Sequence, residues 1–106
     1  MLKFSHFRIL GFGSVFSKLF NSDADLLRYA SDLATIEGVY LELGVCTGKS
    51  INFIAALNPD KIIYGFDSFQ GNPEAWHRDH TVVTKGTFGL KDPNKIPLVL
   101  NNVRLI

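Results

Sequence analysis

Two carboxylates bracket a glycine-containing loop in the first half of the chain. Glu42 stands near the end of an apolar run, and Gly44 and Gly48 follow it. Asp67 comes directly after a second apolar run, 25 positions beyond Glu42. The loop closes on Gly-Lys-Ser at residues 48–50. Acids, glycines and a helix start at this spacing could hold a triphosphate, a dinucleotide or a cationic nucleoside.

The loop does not have the spacing of a triphosphate cradle. That motif places four residues between its first glycine and the Gly-Lys pair. Counting back from Gly48, the required glycine falls on Leu43, and Gly44 leaves only three residues between. Glu42 also brings a negative charge to the mouth of the loop. A nucleotide-binding protein is therefore the weakest of the functional hypotheses.

A dinucleotide fingerprint fits poorly as well. In Gly-x-Gly-x-x-Gly the middle glycine lets a pyrophosphate approach the backbone. Starting from Gly44, that middle position is Cys46 and the third glycine position is Lys49. A side chain at Cys46 would obstruct the pyrophosphate, so this match is only partial.

S-adenosylmethionine suits the acids better because it carries a sulfonium, an ammonium and no phosphate. Glu42 can lie on the ammonium side, while Gly44 and Gly48 allow a sharp turn. The start of a helix near Gly48 offers free amides to the carboxylate of the ligand, and the Ser50 hydroxyl can add a hydrogen bond. The alternative is that Glu42 and Asp67 are helix-capping or surface acids.

The second acid suits a ribose. In a βαβ unit, an acid roughly 20 residues beyond the glycine loop accepts the ribose hydroxyls, which predicts this role for Asp67. Ser68 and Phe69 then lie where the adenine should be, and Phe69 could cover its face. The predicted cofactor-binding residues are Glu42, Gly44, Val45, Cys46, Thr47, Gly48, Ser50, Asp67, Ser68 and Phe69.

Local patterns predict the elements that position these residues. We expect a helix over 22–36 with Ser22 as its N-cap, a buried strand over 39–43, a helix over 50–57 and a strand over 61–66. This order indicates a βαβ unit with parallel strands. Beyond it we expect a polar loop over 70–79, an extended piece over 81–85, a short helix over 94–101 and a third strand from 103.

The first twenty residues carry large apolar side chains and no acid. Phe12, Phe16, Leu19 and Phe20 fall on one helical face, which predicts a helix packed on its own domain or on a second subunit, with a membrane-surface helix as the alternative. The predicted organisation is an N-terminal helical segment, 1–37, and the N-terminal part of a Rossmann-like S-adenosylmethionine-binding domain, 38–106.

The composition is that of an ordinary globular domain. The chain has 106 residues, with 11 Lys plus Arg against 10 Asp plus Glu. There is no basic stripe that would favour nucleic acid, and no run that predicts stable membrane insertion. Cys46 is the single cysteine, so the sequence offers no internal disulfide and no cysteine-based zinc site. We expect a cytoplasmic protein.

The two motifs together resemble a known family. E-L-G-V-C-T-G-K-S followed by Y-G-F-D-S-F-Q-G-N-P-E-A-W is similar to the macrocin O-methyltransferase family of class I S-adenosylmethionine-dependent methyltransferases. Gln70 and Asn72 depart from the family pattern. The matching residues are Glu42, Gly44, Val45, Gly48, Ser50, Asp67, Ser68, Phe69, Gly71, Pro73 and Glu74.

The resemblance implies a Rossmann-like parallel sheet with helices on both faces. It also implies methyl transfer to a hydroxyl of a small-molecule acceptor, with sugar-containing acceptors included. Members of the family typically use a divalent metal, commonly magnesium, held by aspartates that would lie beyond residue 106. No metal ligand is therefore predicted in this chain, and its catalytic residues remain unassigned.

The length predicts an incomplete fold. A complete class I methyltransferase needs about seven strands, whereas this chain has two clear strands and the start of a third. We expect a truncated enzyme whose exposed surface leads to homo-oligomers. The alternative is a non-catalytic S-adenosylmethionine-binding or oligomerisation module. His77 and His80 could form a base or a metal pair, although a solvated loop is the preferred interpretation.

Overall fold

The computed structural model describes residues 7–11, 14–92 and 95–106. It is a mixed α/β structure with a small parallel sheet. The chain divides into two compact units, Met1–Ile36 and Glu37–Ile106. The first unit contains β1 (Phe7–Gly11), β2 (Ser14–Lys18) and α1 (Asp23–Leu33). The second contains β3 (Tyr40–Leu43), α2 (Lys49–Leu57), β4 (Ile63–Phe66), β5 (Trp76–Arg78), β6 (Thr81–Val83) and β7 (Val103–Leu105).

The first unit begins with an antiparallel hairpin rather than a helix. Strands β1 and β2 pair from Phe7 opposite Lys18 to Gly11 opposite Ser14. The predicted helix over the first twenty residues is therefore wrong at 7–11 and 14–18, while residues 1–6 and 12–13 lie outside the described part. Gly11 and Gly13 weaken a helix, and the β-branched and aromatic residues around them favour strands.

Helix α1 begins where the sequence predicts. The Ser22 hydroxyl accepts a hydrogen bond from the Asp25 amide at 3.1 Å, and Asp23 and Asp25 lie in the first turn. The helix ends at Leu33, three residues before the predicted end. The cap residue Ala34 leaves helical angles with ψ at 75°, and its amide bonds to the Ser31 carbonyl.

The second unit is built on a three-stranded parallel sheet in the order β3-β4-β7. Tyr40 pairs with Ile63 and Leu43 with Phe66, while Ile63 also pairs with Val103. Helix α2 connects β3 to β4 and ends before Asn58, its C-cap. The predicted parallel βαβ unit and the third strand are both confirmed.

The core lies on one face of this sheet, under α2. Its buried side chains are Val45, Ile51, Ala55, Ile63, Phe69 and Val103. The approach between helix and sheet is close at Gly65, where a Cβ would lie 2.5 Å from Ile51 Cδ1 and 2.7 Å from Val45 Cγ2. Any side chain at this position would force the buried side chains of Ile51 and Val45 to shift.

The opposite face of the sheet is exposed. Along β3, Tyr40 and Glu42 are partly covered, whereas Leu41 and Leu43 are 59% and 80% exposed. The prediction of β3 as a buried strand is therefore wrong. Successive side chains of a strand point to opposite faces, and α2 covers only one of them.

Two further predictions need correction. The loop predicted over 70–79 contains β5, which pairs with β6 in an antiparallel hairpin. The helix predicted over 94–101 is absent from the described residues 95–101. There the Asn52 side chain donates to the Leu98 carbonyl and accepts from the Leu100 amide, both at 2.9 Å, so these backbone groups bond to a side chain and not within a helix. Pro97 also lacks the amide that a helix needs.

In the part of the chain that the structure describes, neither helix is long and apolar enough to cross a bilayer.

Candidate functional site

The two candidate acids lie at the same edge of the sheet. Because β3 and β4 are parallel, their carboxyl ends are adjacent. Glu42 pairs with Gly65 one step before the end of the ladder, and Asp67 directly follows the last residue of β4, Phe66. Helix α2 starts from this edge as well, at Lys49. The fold therefore brings the acids, the glycine loop and the helix start together.

The loop between β3 and α2 is a tight turn that depends on its glycines. The Gly44 amide donates to the Phe66 carbonyl at 2.8 Å, and the Gly48 amide donates to the Val45 carbonyl at 2.9 Å. Gly44 has φ of 95° and Gly48 has φ of 83°, in the left-handed region that glycine adopts most easily. Cys46 is held there too, with φ of 50°.

Asp67 fastens this loop to the chain after β4. Its Oδ2 accepts from the Val45 amide at 2.8 Å and from the Cys46 amide at 2.7 Å, and its Oδ1 accepts from the Phe69 amide at 2.8 Å. Partial burial raises the pKa of Asp67, but the amides of Cys46, Phe69, Val45 and Ser68 outweigh that effect and hold the pKa below its ordinary value.

The sequence assigned Asp67 to a ribose and missed this role in the loop. Only the bond to Phe69, two residues away, has a local signal, since aspartate commonly accepts from the amide two positions on. The bonds to Val45 and Cys46 span more than twenty residues.

These bonds bear on whether the loop could cradle a phosphate. A phosphate cradle needs backbone amides that point at the ligand. Here the amides of Gly44, Val45, Cys46 and Gly48 donate within the chain, and two of them donate to a carboxylate. The Asp67 carboxylate therefore takes the position at Val45 and Cys46 that an anionic ligand would need.

Glu42 is less well satisfied than Asp67. The Ser50 hydroxyl donates to Glu42 Oε1 at 2.6 Å, which joins β3 to the first turn of α2. The other oxygen, Oε2, is buried and has no hydrogen-bond partner. Burial raises the pKa of Glu42, and the Ser50 hydrogen bond offsets this only in part. The site thus contains a carboxylate oxygen without a donor.

The remaining predicted residues occupy different surroundings. Phe69 is only 7% exposed and belongs to the hydrophobic core, so its ring does not line an open crevice. Ser68 and Thr47 are exposed, and the Ser68 hydroxyl accepts from the Gln70 amide at 3.3 Å. The Cys46 thiol donates to the Phe88 carbonyl at 3.3 Å.

That last contact involves a segment which the sequence analysis did not connect to the site. The Leu90 amide donates to the Phe69 carbonyl at 3.0 Å. Two more backbone hydrogen bonds join this segment to Asn72. The Asn72 amide donates to the Thr87 carbonyl, and the Gly86 amide donates to the Asn72 carbonyl. We call residues 86–90 the strap. The feature of the sequence that could have indicated this contact is Gly71. The strap passes so close to it that a Cβ there would lie 2.3 Å from the Gly86 carbonyl oxygen.

The two histidines lie on the β5–β6 hairpin. His77 is in β5 and His80 is in the turn that follows it, and both are exposed. Among the described residues, no group of three or more His, Cys, Asp or Glu side chains could hold a metal ion.

Comparison of this chain with protein-family models, with curated proteins and with solved structures gave no match.

Proposed function

We propose that this chain is the cofactor-binding part of an S-adenosylmethionine-dependent O-methyltransferase with a Rossmann-like sheet, of the kind that its two motifs resemble. Its acceptor would be a hydroxyl of a small molecule. The observation that carries the proposal is the placement of Glu42 and Asp67 at the carboxyl edge of adjacent parallel strands, on either side of a loop whose Val45 and Cys46 amides already donate to Asp67. Ligands of open parallel sheets bind at that edge.

The charges at this edge favour a cation over a phosphate. Glu42 has a buried oxygen without a donor, and its raised pKa reflects an ionised form that is poorly stabilised. The ammonium of the methyl donor would bring a positive charge close to the Glu42 carboxylate and favour its ionised form. A triphosphate would instead face two carboxylates.

The start of α2 supports binding of the ligand's carboxylate. The first amides of a helix have no partner within it, and the aligned peptide dipoles leave partial positive charge at this end. Gly48 caps α2 without a side chain, so no side chain takes those amides. A ligand with its carboxylate there and its ammonium near Glu42 satisfies both charges.

Asp67 would contact the ribose while still holding the loop. A carboxylate has about four acceptor positions, and three bonds to loop amides are present. A ribose hydroxyl that binds Asp67 would therefore share the carboxylate with the amides of Val45, Cys46 and Phe69. Ribose binding and the shape of the loop would be coupled through this one residue.

When bound, S-adenosylmethionine supplies a methyl group on a positively charged sulfur. The chain's contribution would be to hold the donor so that acceptor oxygen, methyl carbon and sulfur lie in line, and such alignment supplies much of the rate. Among the described residues, no group of three or more His, Cys, Asp or Glu side chains could hold a metal ion, and no magnesium ligand is proposed among them. No step is assigned to a metal.

Calorimetry of the full chain tests this proposal. We expect S-adenosylhomocysteine to bind, and ATP and NAD to bind more weakly or not at all. Asp67→Ala should weaken S-adenosylhomocysteine by about 2 kcal/mol, or about 30-fold, since it removes a charged hydrogen-bond acceptor. Asp60→Ala, which removes an exposed acid away from the loop, is the matched control. Binding of ATP without S-adenosylhomocysteine would refute the proposal.

A further inference from the structure

Phe88 has an unfavourable backbone conformation that the packing of its own side chain does not explain. Its φ is 69°, in the left-handed region that bulky residues rarely adopt. Phe88 as a whole residue is 48% exposed, so burial in the core does not compensate for the strain. Strained residues of this kind persist where the surrounding structure fixes them, and they cluster at binding sites.

The strap fixes Phe88 across the two loops of the candidate site. The Phe88 carbonyl accepts from the Cys46 thiol of the glycine loop at 3.3 Å. Two residues later, the Leu90 amide donates to the carbonyl of Phe69, in the loop after β4. The Gly89 amide also bonds back to the Gly86 carbonyl at 3.0 Å. Phe88 is therefore held beside the chain segments that follow both parallel strands.

Phe69, the aromatic residue that the sequence predicts beside the adenine, cannot serve as an open surface. Phe69 is 7% exposed and packs in the core. Phe88 combines a position beside the glycine loop with a ring that is still accessible. A flat, exposed aromatic ring at the edge where a nucleoside would lie is suited to stacking on its base.

We propose that Phe88 is the aromatic surface on which the adenine of the methyl donor stacks. This inference rests on the proposed function and adds a specificity-determining residue to the same site. The strained backbone at Phe88 would then place the ring beside the glycine loop and the loop that follows β4. Phe69 serves the core beneath.

Substitutions at Phe88 separate the effect of the aromatic ring on ligand binding from the effect of the strained backbone on stability. Phe88→Ala and Phe88→Leu remove the aromatic face, and each should weaken binding of S-adenosylhomocysteine by about 10-fold or more. Phe88→Tyr keeps the face and should bind like the wild type. Phe88→Gly removes the ring but adopts positive φ easily, so it should bind weakly while its Tm stays at or above that of the wild type.

Calorimetry and thermal unfolding of the full chain provide the measurements, with Leu98→Ala as the control for loss of an exposed apolar side chain. Leu98 is 94% exposed. If the wild type binds S-adenosylhomocysteine and Asp67→Ala weakens it, but Phe88→Gly and Phe88→Leu bind normally, the role of Phe88 is refuted while the proposed function stands. Weak binding by Phe88→Tyr would also refute stacking. A wild type that does not bind refutes the proposed function itself.

Discussion

The two carboxylates at the sheet edge differ in how well their charges are satisfied. Asp67 accepts from three loop amides, and these hold its pKa below the ordinary value despite partial burial. Glu42 has one hydroxyl donor and one buried oxygen without a partner, and burial raises its pKa. Asp67 is therefore part of the folded framework, whereas Glu42 carries charge that a cationic ligand could compensate.

Glu42→Gln should show this difference as a pH-dependent change in stability. Well below pH 4.5, the ordinary pKa of the Glu42 side chain, the carboxyl is protonated in both the folded and the unfolded state. As pH rises, the unfolded chain loses the proton first, because the folded state has the higher pKa. The wild type should therefore lose stability relative to Glu42→Gln as pH rises through the folded pKa. Chemical denaturation of both proteins between pH 4 and pH 8 measures this.

Glu74→Gln is the matched control, since it removes the same charge from an exposed position. Its stability relative to the wild type should vary little with pH. If Glu42→Gln instead becomes the less stable protein as pH rises, the Glu42 charge is stabilising in the free chain. In that case it needs no ligand cation, and its place in the proposed site loses its main support.

At the scale of elements, the close packing of α2 on β4 depends on Gly65. A Cβ at this position would lie 2.5 Å from Ile51 Cδ1 and 2.7 Å from Val45 Cγ2. Gly65→Ala should destabilise the fold by about 1–3 kcal/mol, because the added methyl overpacks a filled core. Because Val45 belongs to the glycine loop, the same change should also weaken ligand binding. Urea denaturation and calorimetry measure the two effects.

Gly38→Ala provides the comparison for Gly65→Ala. A Cβ on Gly38 meets no atom within 4 Å, so the same methyl addition should leave stability nearly unchanged. Equal losses of stability at both positions would show that the cost comes from the chain's flexibility and not from the packing of α2 on β4.

Sequence patterns predicted the elements whose signals are local. The Ser22 cap, the apolar runs of β3 and β4 and the Asn58-Pro59 stop each act over a few residues. The patterns failed where another part of the chain decides the conformation. The helix predicted over 94–101 does not form at 95–101, where the Asn52 side chain pairs with the Leu98 and Leu100 backbones. In the first twenty residues, the apolar spacing fits a strand as well as a helix.

In the candidate site, too, the sequence predicted the features that have local signals and missed those that depend on distant residues. Glu42, Gly44 and Gly48 could be located from the sequence because strand ends and turns have local signatures. The partners of Asp67 could not, since hydrogen bonds to Val45 and Cys46 depend on how two loops meet. Phe69 was the predicted aromatic contact because it follows Asp67 closely, yet it packs in the hydrophobic core. Phe88 is nineteen positions further along and reaches the site only through the strap.

At the scale of the whole molecule, the sheet presents an apolar face to solvent. Leu41 and Leu43 of β3 are mostly exposed, and Phe66 of β4 and Ile106 after β7 are exposed as well. Alternation along the strands puts Leu41, Leu43 and Phe66 on the face opposite α2, since Leu43 pairs with Phe66. Several exposed apolar side chains on one face of a sheet favour association.

Self-association through this face is the outcome we expect. Sedimentation equilibrium of the wild type should show an apparent mass that rises with concentration, because a second copy can cover the exposed leucines. Leu41→Lys puts a charge on this face, in the edge strand β3, and should shift the population towards monomer, at a free-energy cost of about 1–3 kcal/mol to association. Leu98→Lys adds the same charge at a side chain outside the sheet, 94% exposed, and should leave the mass distribution unchanged.

A wild type that remains monomeric throughout the micromolar range would show that this face of the sheet stays exposed to water without association. The association expected from the sequence would then be wrong, although the proposal for the site at the sheet edge would be unaffected, because the acids and the glycine loop belong to one chain.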